Sequence, residues 1–380
     1  MNFVALKMLV GDRMKYVALV AGVAFAALLI TQQAAIFVGY AMQTGAWVRD
    51  TAVADLWVMD DQVEFTDDFK PMADMELQRI RGVPGVAWAV PMYKNYLRSR
   101  LPDGTLTQTR VVGLDDATLT GGPPEMVEGR LEDLRQDRGV LVNVSQVDTT
   151  LAPRRGGAPL KVGDRISVND NEAVVVGTYR ATKEFFWDPV LYTTYSRALS
   201  WAPRERKVLT FVHVKVQPGA DVAAVAGRIR ATTGLAAMTN DAFEWQTMTD
   251  LLKRTGILIN FGITIALGFV IGLLVAGQTF YTFVLDNLRQ FAALKAMGLT
   301  NAAVLRMLCL QVVVVGSVGY GIGVGAASVF GSLVGGDALA FQMSWQIPIV
   351  GGVAVLACCL VAGMMGIVRV LRVEPAVVFK

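Results

Sequence analysis

Residues 255–285 read TGILINFGITIALGFVIGLLVAGQTFYTFVL and contain no Asp, Glu, Lys or Arg. This run is longer than the roughly 20 apolar residues with which a helix crosses a bilayer core about 30 Å thick. Lipid offers the backbone no hydrogen-bond partners, so a spanning segment of this kind must be helical. The stretch therefore predicts a transmembrane helix, around which the rest of the chain is organised.

Three further blocks lack charged residues, at 16–48, 307–336 and 338–368. Because of them only 18% of the chain is charged, whereas a soluble protein usually has about 25%. The alternative, a large soluble protein with buried helices, does not account for four such blocks. We therefore predict four transmembrane helices. They lie at residues 16–40, 255–285, 304–333 and 346–368.

The four segments are unevenly spaced. About 210 residues separate the first segment from the second, and the other three fill the C-terminal third. A cleaved signal peptide is the alternative for the N-terminus, but a signal peptide has an apolar region of only roughly 7–15 residues. The layout predicts an α-helical membrane protein with four transmembrane helices arranged 1 + 3. A large α+β extracytoplasmic domain is expected at residues 41–254.

Lys and Arg residues flank the spans at three places, before the first, between the second and third, and after the fourth: Lys7, Arg13, Lys15, Arg289, Lys295, Arg306, Arg369, Arg372 and Lys380. The loop between the third and fourth spans carries Asp337 and no cation. The positive-inside rule then places both termini and residues 286–303 in the cytoplasm. The net charge of +3 is too small to indicate a nucleic-acid partner.

The terminal segments are short. Residues 1–15 are apolar with interspersed cations, which fits a helix on the inner membrane surface or a frayed terminus about equally. Residues 369–380 form a predicted cytoplasmic tail. All three cysteines lie in or beside spans, so the outer domain has no disulfide.

Within residues 41–254 a strand–helix–strand order occurs twice, at 52–101 and at 208–239. Short strand-like segments dominate the sequence between them. We infer one α+β subdomain that is split in sequence by an inserted β subdomain at about residues 122–205.

Catalytic signatures are missing. The chain has no GxxxxGK[ST] loop and no HExxH. His213 is the only histidine, so a multi-histidine metal site is excluded and no metal is expected. Its strand position beside Phe211 and Lys215 predicts a surface or boundary histidine. We therefore expect a protein that is not an enzyme.

Polar residues interrupt the spans at Gln32, Gln33 and Gln278. Such residues usually face other helices or water. They predict a transmembrane interface or the wall of a substrate path, with simple interhelical hydrogen bonding as the alternative. The third span also contains two glycine pairs at small-xxx-small spacing, which favours close helix packing: Gly319/Gly323 and Gly321/Gly325.

Residues 286–298 read DNLRQFAALKAMG. Apolar side chains recur every three residues on one face: Leu288, Phe291, Leu294 and Met297. Arg289 and Lys295 stand on other faces, and Gly298 is a helix-stop signal. The pattern predicts a short amphipathic helix at the inner membrane surface. It would lie at the end of a helix continuous with the outer domain, where a cytoplasmic motor could push.

This segment resembles the FtsX-like, or MacB-type, ABC transporter permeases. In that family the second span ends in a pattern close to R-E-x-x-x-L-R-A-x-G, and residues 289–298 here read RQFAALKAMG. The family tends to end in a V-x-P-A-x-x-F/L-R-like tail, and residues 373–380 read VEPAVVFK. Gln290 departs from the commoner glutamate. Residues 54–62, ADLWVMDDQ, look most like the DevC-type exporter permeases. With the 1 + 3 order, the resemblance covers essentially the whole chain.

The resemblance implies a non-catalytic permease subunit of an ABC exporter in the bacterial inner membrane. A permease homodimer would bind separate cytoplasmic ATPase subunits, which hold the ATP and Mg, and would contact membrane lipids. The ATPase-coupling residues would be Asp286, Leu288, Arg289, Gln290, Phe291, Leu294, Lys295, Met297 and Gly298. Motion would travel along the second span into the outer domain.

The implied substrate is hydrophobic or amphipathic, lipid-like, glycolipid-like or drug-like. A periplasmic adaptor and an outer-membrane duct are expected partners. Two alternatives stay open: a signalling permease that controls a cell-wall hydrolase, and a haem or drug efflux permease without a duct. We also expect Asp at Phe291 or Leu294 to uncouple the ATPase and leave the fold intact.

Overall fold

The structure, a computed structural model, describes residues 2–152, 158–186, 188–335 and 339–371. The chain divides into two compact units. Residues 1–40 and 255–380 form the membrane unit, and residues 41–254 form the outer domain. Asp337 and the tail at 373–380, used in the charge and motif arguments, lie outside the described residues.

The described helices follow in chain order: α1 Asn2–Gly11, α2 Arg13–Thr44, α3 Ala46–Asp50, α4 Met75–Arg81, α5 Val144–Val147, α6 Tyr195–Trp201, α7 Val222–Thr233, α8 Asn240–Arg254, α9 Ile257–Asp286, α10 Leu288–Ala296, α11 Asn301–Val334 and α12 Gln346–Leu371. The described strands are β1 Leu56–Met59, β2 Val86–Arg100, β3 Leu106–Leu114, β4 Glu125–Glu128, β5 Gly139–Asn143, β6 Arg165–Val168, β7 Asn171–Arg180, β8 Val190–Thr194, β9 Phe211–Val216 and β10 Ala236–Thr239.

Four helices are long and apolar enough to cross a membrane: α2, α9, α11 and α12. One precedes the outer domain and three follow it, so the predicted 1 + 3 fold class is confirmed. The spans are longer than their uncharged cores. The first runs from Arg13 to Thr44 and the third begins at Asn301, because cations at a helix end can reach the bilayer surface. The fourth continues to Leu371, inside the predicted tail.

The core of the membrane unit takes apolar side chains from all six of its helices. Helices α11 and α2 pack closely against each other. A Cβ atom added at Gly323 would lie 2.5 Å from the Ala24 carbonyl oxygen, and one at Gly319 would lie 2.8 Å from Val23. Only glycine fits at that separation. The second predicted pair, Gly321 and Gly325, has no described atom within 4 Å of such a Cβ and leaves its face open.

A single ten-stranded sheet forms the outer domain, in the order β10-β1-β9-β2-β3-β8-β5-β7-β4 with β6 beside β2 and β7. Strand β2 holds it together, since its first half pairs with β9 and its second half with β3. The insert predicted at 122–205 contributes β4 to β8 and helices α5 and α6. The insert shares the sheet with the rest of the domain, because β8 pairs in parallel with β3.

The two strand–helix–strand repeats come together as expected. Strands β1 and β2 from the first repeat interleave with β9 and β10 from the second. Helices α4 and α7 cover one face of these strands, where Val212 and Val214 are buried. The other face is covered by α3 and α8 through Trp47 and Phe243. The sheet of the split α+β subdomain is therefore formed by pairing strands that are far apart in sequence.

The prediction for His213 is wrong. The side chain is 1% exposed, and its ring centroid lies 4.1 Å from that of Trp57. Alternation along β9 was read correctly, but both faces of the strand are covered, so neither is a surface. Burial lowers the pKa of His213 to about 3.

The second transmembrane helix is not continuous with the outer domain. Helix α8 ends at Arg254, and α9 begins at Ile257. Between them Gly256 adopts a left-handed conformation with φ +67°, which breaks the helical hydrogen-bond pattern and favours glycine. Helices α8 and α9 are therefore two separate helices and not one continuous helix.

Candidate functional site

The candidate site is the elbow between α9 and α10, in the segment that the sequence predicted as a coupling helix. Asn287 separates the two helices. Its backbone and side-chain nitrogens both donate to the Phe283 carbonyl, at 3.2 and 2.8 Å, and its own carbonyl accepts from the Phe291 N–H at 3.1 Å. One asparagine thus ends α9 and starts α10, which fixes the angle between them.

Gly298 ends α10 as predicted. The residue has φ +95°, its N–H donates to the Lys295 carbonyl at 3.0 Å, and the Leu299 N–H donates to the Leu294 carbonyl at 3.1 Å. This pair of bonds is the Schellman arrangement, which satisfies the last carbonyls of a helix. Thr300 then caps α11, since its hydroxyl accepts from the Ala303 N–H at 3.4 Å. The elbow is therefore defined at both ends.

The apolar face of α10 points into the membrane unit. Phe291 and Ala292 are fully buried, and Leu288 packs partly buried against the same core as Val304. The predicted docking face at Leu288, Phe291, Leu294 and Met297 is therefore divided. Phe291 is a core residue, Leu294 is half-buried, and Met297 is 76% exposed.

The exposed face of α10 is polar. Asp286, Arg289 and Gln290 are exposed, Lys295 is half-buried, and Gly298 is exposed beside Met297. These are the predicted coupling residues that another protein could contact directly. No group of three or more His, Cys, Asp or Glu in the described part of the chain is placed to hold a metal ion.

An ion-pair cluster ties the elbow to the start of the first span. The Lys15 ammonium lies 2.5 Å from Asp286 and 2.9 Å from Asp12. The hydrogen bond from Lys15 lowers the pKa of the Asp12 carboxyl. Exposed ion pairs of this kind are weakened by solvent and by salt. The cluster therefore orients the elbow and adds little to stability.

The other predicted polar positions are not brought together. Gln32 and Gln33 are half-buried on α2, whereas Gln278 is exposed on α9. Gln311, which the predictions did not assign to the site, is better anchored. It is fully buried on α11, and its amide nitrogen donates to the Ala5 carbonyl at 2.8 Å. Its place early in an uncharged span was the only sequence signal.

The outer domain contains a buried ionic cluster that sequence reasoning missed. Asp67 lies 2.8 Å from the Lys94 ammonium and 3.2 Å from the Arg110 guanidinium, which also contacts Glu184. Lys94 sits 3.6 Å from the ring centroid of Trp47. Burial alone would raise the pKa of Asp67, but Lys94 and Arg110 outweigh it and lower that pKa.

This cluster fastens a loop to the sheet. Arg110 also donates to the Phe186 and Asp188 carbonyls, both at 3.0 Å, in the segment before β8. The same segment bonds to Asp50 through Thr182, at 2.7 Å from its backbone N–H. The arrangement serves architecture, because Lys94 and Arg110 are fully buried and their described contacts are to other residues of the outer domain.

Two families match the chain. The family described as MacB-like periplasmic core domain matches residues 17–232, and the FtsX-like permease C-terminal family matches residues 257–375. The first match alone covers more than half of the chain.

Curated relatives carry corresponding names. An uncharacterised ABC transporter permease of Mycobacterium tuberculosis is 26% identical over 322 residues, which cover 81% of this chain and 79% of the relative. A permease of the same description from Mycobacterium bovis is 31% identical over 137 residues, 35% of this chain and 37% of the relative.

Among solved structures, the extracellular domain of the noncanonic ABC-type transporter YknZ covers 49% of this chain and 99% of its own, with 13% identity and TM-score 0.35. The periplasmic region of MacB from Actinobacillus actinomycetemcomitans covers 52% and 94%, with 12% identity and TM-score 0.36. At these scores the family assignment depends on the sequence matches.

Proposed function

The chain belongs to the ABC transporter permeases of the MacB and FtsX type, and from this premise we propose that it is the non-catalytic membrane subunit of an ABC exporter. Hydrolysis of ATP, with its Mg ion, takes place on a separate ATPase subunit. The observation that carries the proposal is the elbow between α9 and α10. In the segment that carries the family's pattern, Asn287 fixes the end of α9 and Gly298 ends α10 in a Schellman motif. The same segment exposes a polar face.

Both termini and the elbow face the cytoplasm in this proposal, and the outer domain faces the other side. The cations Lys7, Arg13, Arg289 and Arg306 support this orientation through the positive-inside rule. Burying the outer domain's charged surface in lipid would be prohibitive. The protein would therefore be a multi-pass protein of the bacterial inner membrane.

The ATPase docks on the exposed side of the elbow, at Asp286, Arg289, Gln290, Met297 and Gly298. Leu288, Phe291 and Leu294 act from behind this surface by joining it to the core. A push on the elbow then moves the helices of the membrane unit as a body, because interlocked cores shift between packed states and do not deform smoothly.

The permease works as a homodimer. Helix α9 supports this, since only 11% of its most apolar window is buried within one chain. Its exposed Gln278 would be costly against lipid, and a second copy could accept its hydrogen bonds. Gln32 and Gln33, half-buried on α2, would serve as further interface or path-lining groups in the assembled dimer.

Motion reaches the outer domain through two connections that differ in stiffness. Helix α2 runs without interruption to Thr44, and Gly45 alone separates it from α3. The connection from α9 to α8 bends at Gly256. We assign mechanical transmission chiefly to α2, and we assign the role of a hinge to the second connection.

The exported substrate is hydrophobic or amphipathic, such as a lipid, glycolipid or drug-like molecule. A periplasmic adaptor and an outer-membrane duct complete the assembly in a cell with two membranes. The outer domain supports this as a large exposed platform without disulfides. A signalling permease that controls a cell-wall hydrolase is the second candidate.

Affinity purification of the chain from native membranes in mild detergent tests the proposal. Mass spectrometry should identify a P-loop ATPase at one copy per permease, together with an adaptor protein. Recovery of a cell-wall hydrolase with the ATPase would favour the signalling candidate. Recovery of no ATPase would contradict the exporter function altogether.

A further inference from the structure

We propose that helix α1 is the second half of the ATPase-docking surface, and that the groove between α1 and the elbow receives an acidic segment of the ATPase. The inference rests on the proposed function and extends it. The sequence of residues 1–15 fits a surface helix and a frayed terminus about equally. In the structure, α1 is helical and lines one side of the groove.

The groove has a volume of about 710 Å³ and is open on one side. One wall comes from α1, through Phe3 and Lys7, and the other comes from the elbow, through Asp286, Asn287 and Gln290. Asp286 and Gln290, both predicted coupling residues, and their neighbour Asn287 thus line the groove together with α1. Whatever binds the exposed side of the elbow must meet α1 as well.

Helix α1 is held firmly in place. Ala5 and Leu9 are fully buried, and Leu9 belongs to the same core as Phe291 of α10. The buried amide of Gln311 donates to the Ala5 carbonyl, in the middle of α1, at 2.8 Å. A frayed segment would have none of these contacts. Both walls of the groove therefore rest on one core.

The charges of the groove favour an acidic occupant. Lys15 pairs with both Asp12 and Asp286, and all three residues line the groove, so together they carry one net negative charge. Lys7 lines the groove, Arg289 is exposed on the next turn, and neither forms an ion pair with any residue that the structure describes. With Lys7 in its lining and Arg289 at its edge, the groove has one net positive charge, which suits a peptide with carboxylates.

A polypeptide fits the groove better than lipid does. The wall at Gln290 presents an exposed amide that acyl chains cannot satisfy, and such a group is costly to cover with hydrocarbon. Phe3, which is 76% exposed, lines the groove together with Val4 and Met8 and supplies apolar contacts. An aromatic rim beside polar, hydrogen-bonding groups is typical of protein interfaces.

A photo-crosslinking phenylalanine analogue tests the inference in the full-length chain, purified with the ATPase. It is placed in turn at Phe3, at Gln290 and, as a control, at exposed Trp245 of the outer domain. We expect positions 3 and 290 to capture the ATPase, identified by mass spectrometry, and position 245 to capture none. Substitution at Phe3 removes no buried contact, so folding is not at risk.

The outcomes separate the inference from the proposed function. Capture of the ATPase at 290 but not at 3, or capture of lipid at 3, would overturn the role of α1 and leave the elbow as the docking site. No ATPase at either position would overturn both. Charge reversal adds a second readout: Lys7→Glu should weaken retention of the ATPase about tenfold, whereas Arg13→Glu, a matched cation that does not line the groove, should change it less than twofold. Equal losses in the two variants would refute the charge argument.

Discussion

Acidification should destabilise the outer domain through one residue, His213. The imidazole is buried between strands, its ring stacks edge-on with Trp57, and neither nitrogen has a hydrogen-bond partner among the described residues. Gly121 lies so close that an added Cβ would be 2.8 Å from the ring. A proton on this ring would be a buried, unpaired charge, so burial holds its pKa at about 3.

The size of the effect follows from linkage. Unfolding returns the pKa of His213 to about 6.5, so between pH 6.5 and 3 the unfolded chain binds a proton that the folded chain refuses. The free energy of unfolding therefore falls as pH falls through this window. From pH 7 to pH 5 the loss is about 2 kcal/mol, at 1.36 kcal/mol for each unit of pH below 6.5. For a domain of this size that corresponds to about 4–8 °C in Tm.

Urea unfolding at pH 7 and pH 5, followed on residues 41–254 and on the full-length chain, measures this loss. The variant His213→Leu is the control, because it keeps an apolar side chain of similar volume and cannot titrate. Carboxylates contribute equally to both proteins, so the difference between their pH slopes isolates the histidine. The reasoning fails if wild type and variant lose the same stability between the two pH values.

Four further outcomes are expected. Gly323→Ala should lower the thermal stability of the detergent-solubilised chain by about 1–3 kcal/mol through overpacking against α2, whereas Gly325→Ala, whose Cβ meets open space, should leave it unchanged. Arg110→Met should cost about 3–5 kcal/mol in urea unfolding of the outer domain, because it strips buried carboxylates of their partner. Phe291→Asp should abolish folded protein in size-exclusion chromatography, contrary to the expectation from sequence. Gly256→Ala should reduce ATP-driven movement of the outer domain in spin-label distance measurements without changing ATPase binding, and unchanged movement would remove the hinge assignment.

Much of the membrane unit could be predicted because its signals are local. An uncharged run long enough to span a bilayer permits one structure, so the spans around 16–40 and 255–285 follow from composition alone. The stop at Gly298 is equally local, since a left-handed residue is needed where a helix ends in a Schellman pair. Even here the sequence could not say which of two glycine pairs meets a neighbour, because Gly319 and Gly321 have the same spacing signal on different faces.

The outer domain was predicted less well because its sheet is closed by distant pairings. The interleaving of β1 with β9 and β10 joins residues far apart in the chain, and no local pattern specifies it. His213 was placed at a surface because strand alternation indicates only one buried face. The parallel pairing of β8 with β3, which joins the insert to the sheet, likewise leaves no local signature.

The burial of Phe291 shows why an amphipathic helix is an ambiguous signal at a membrane surface. A short helix with one apolar face can turn that face to a partner or to its own core, and the periodicity is identical in both cases. The core provides the deciding information: Phe291 is enclosed by apolar residues of other helices, so the polar face remains for the partner. A motor that docks there grips residues already rigidly joined to the core, and its displacement reaches the transmembrane helices without first having to order a loop. A docking contact through Phe291 itself would have required the core to open. The arrangement seen here therefore suits a subunit that must carry force at every cycle, with its apolar contacts kept permanent and its exchangeable contacts kept polar.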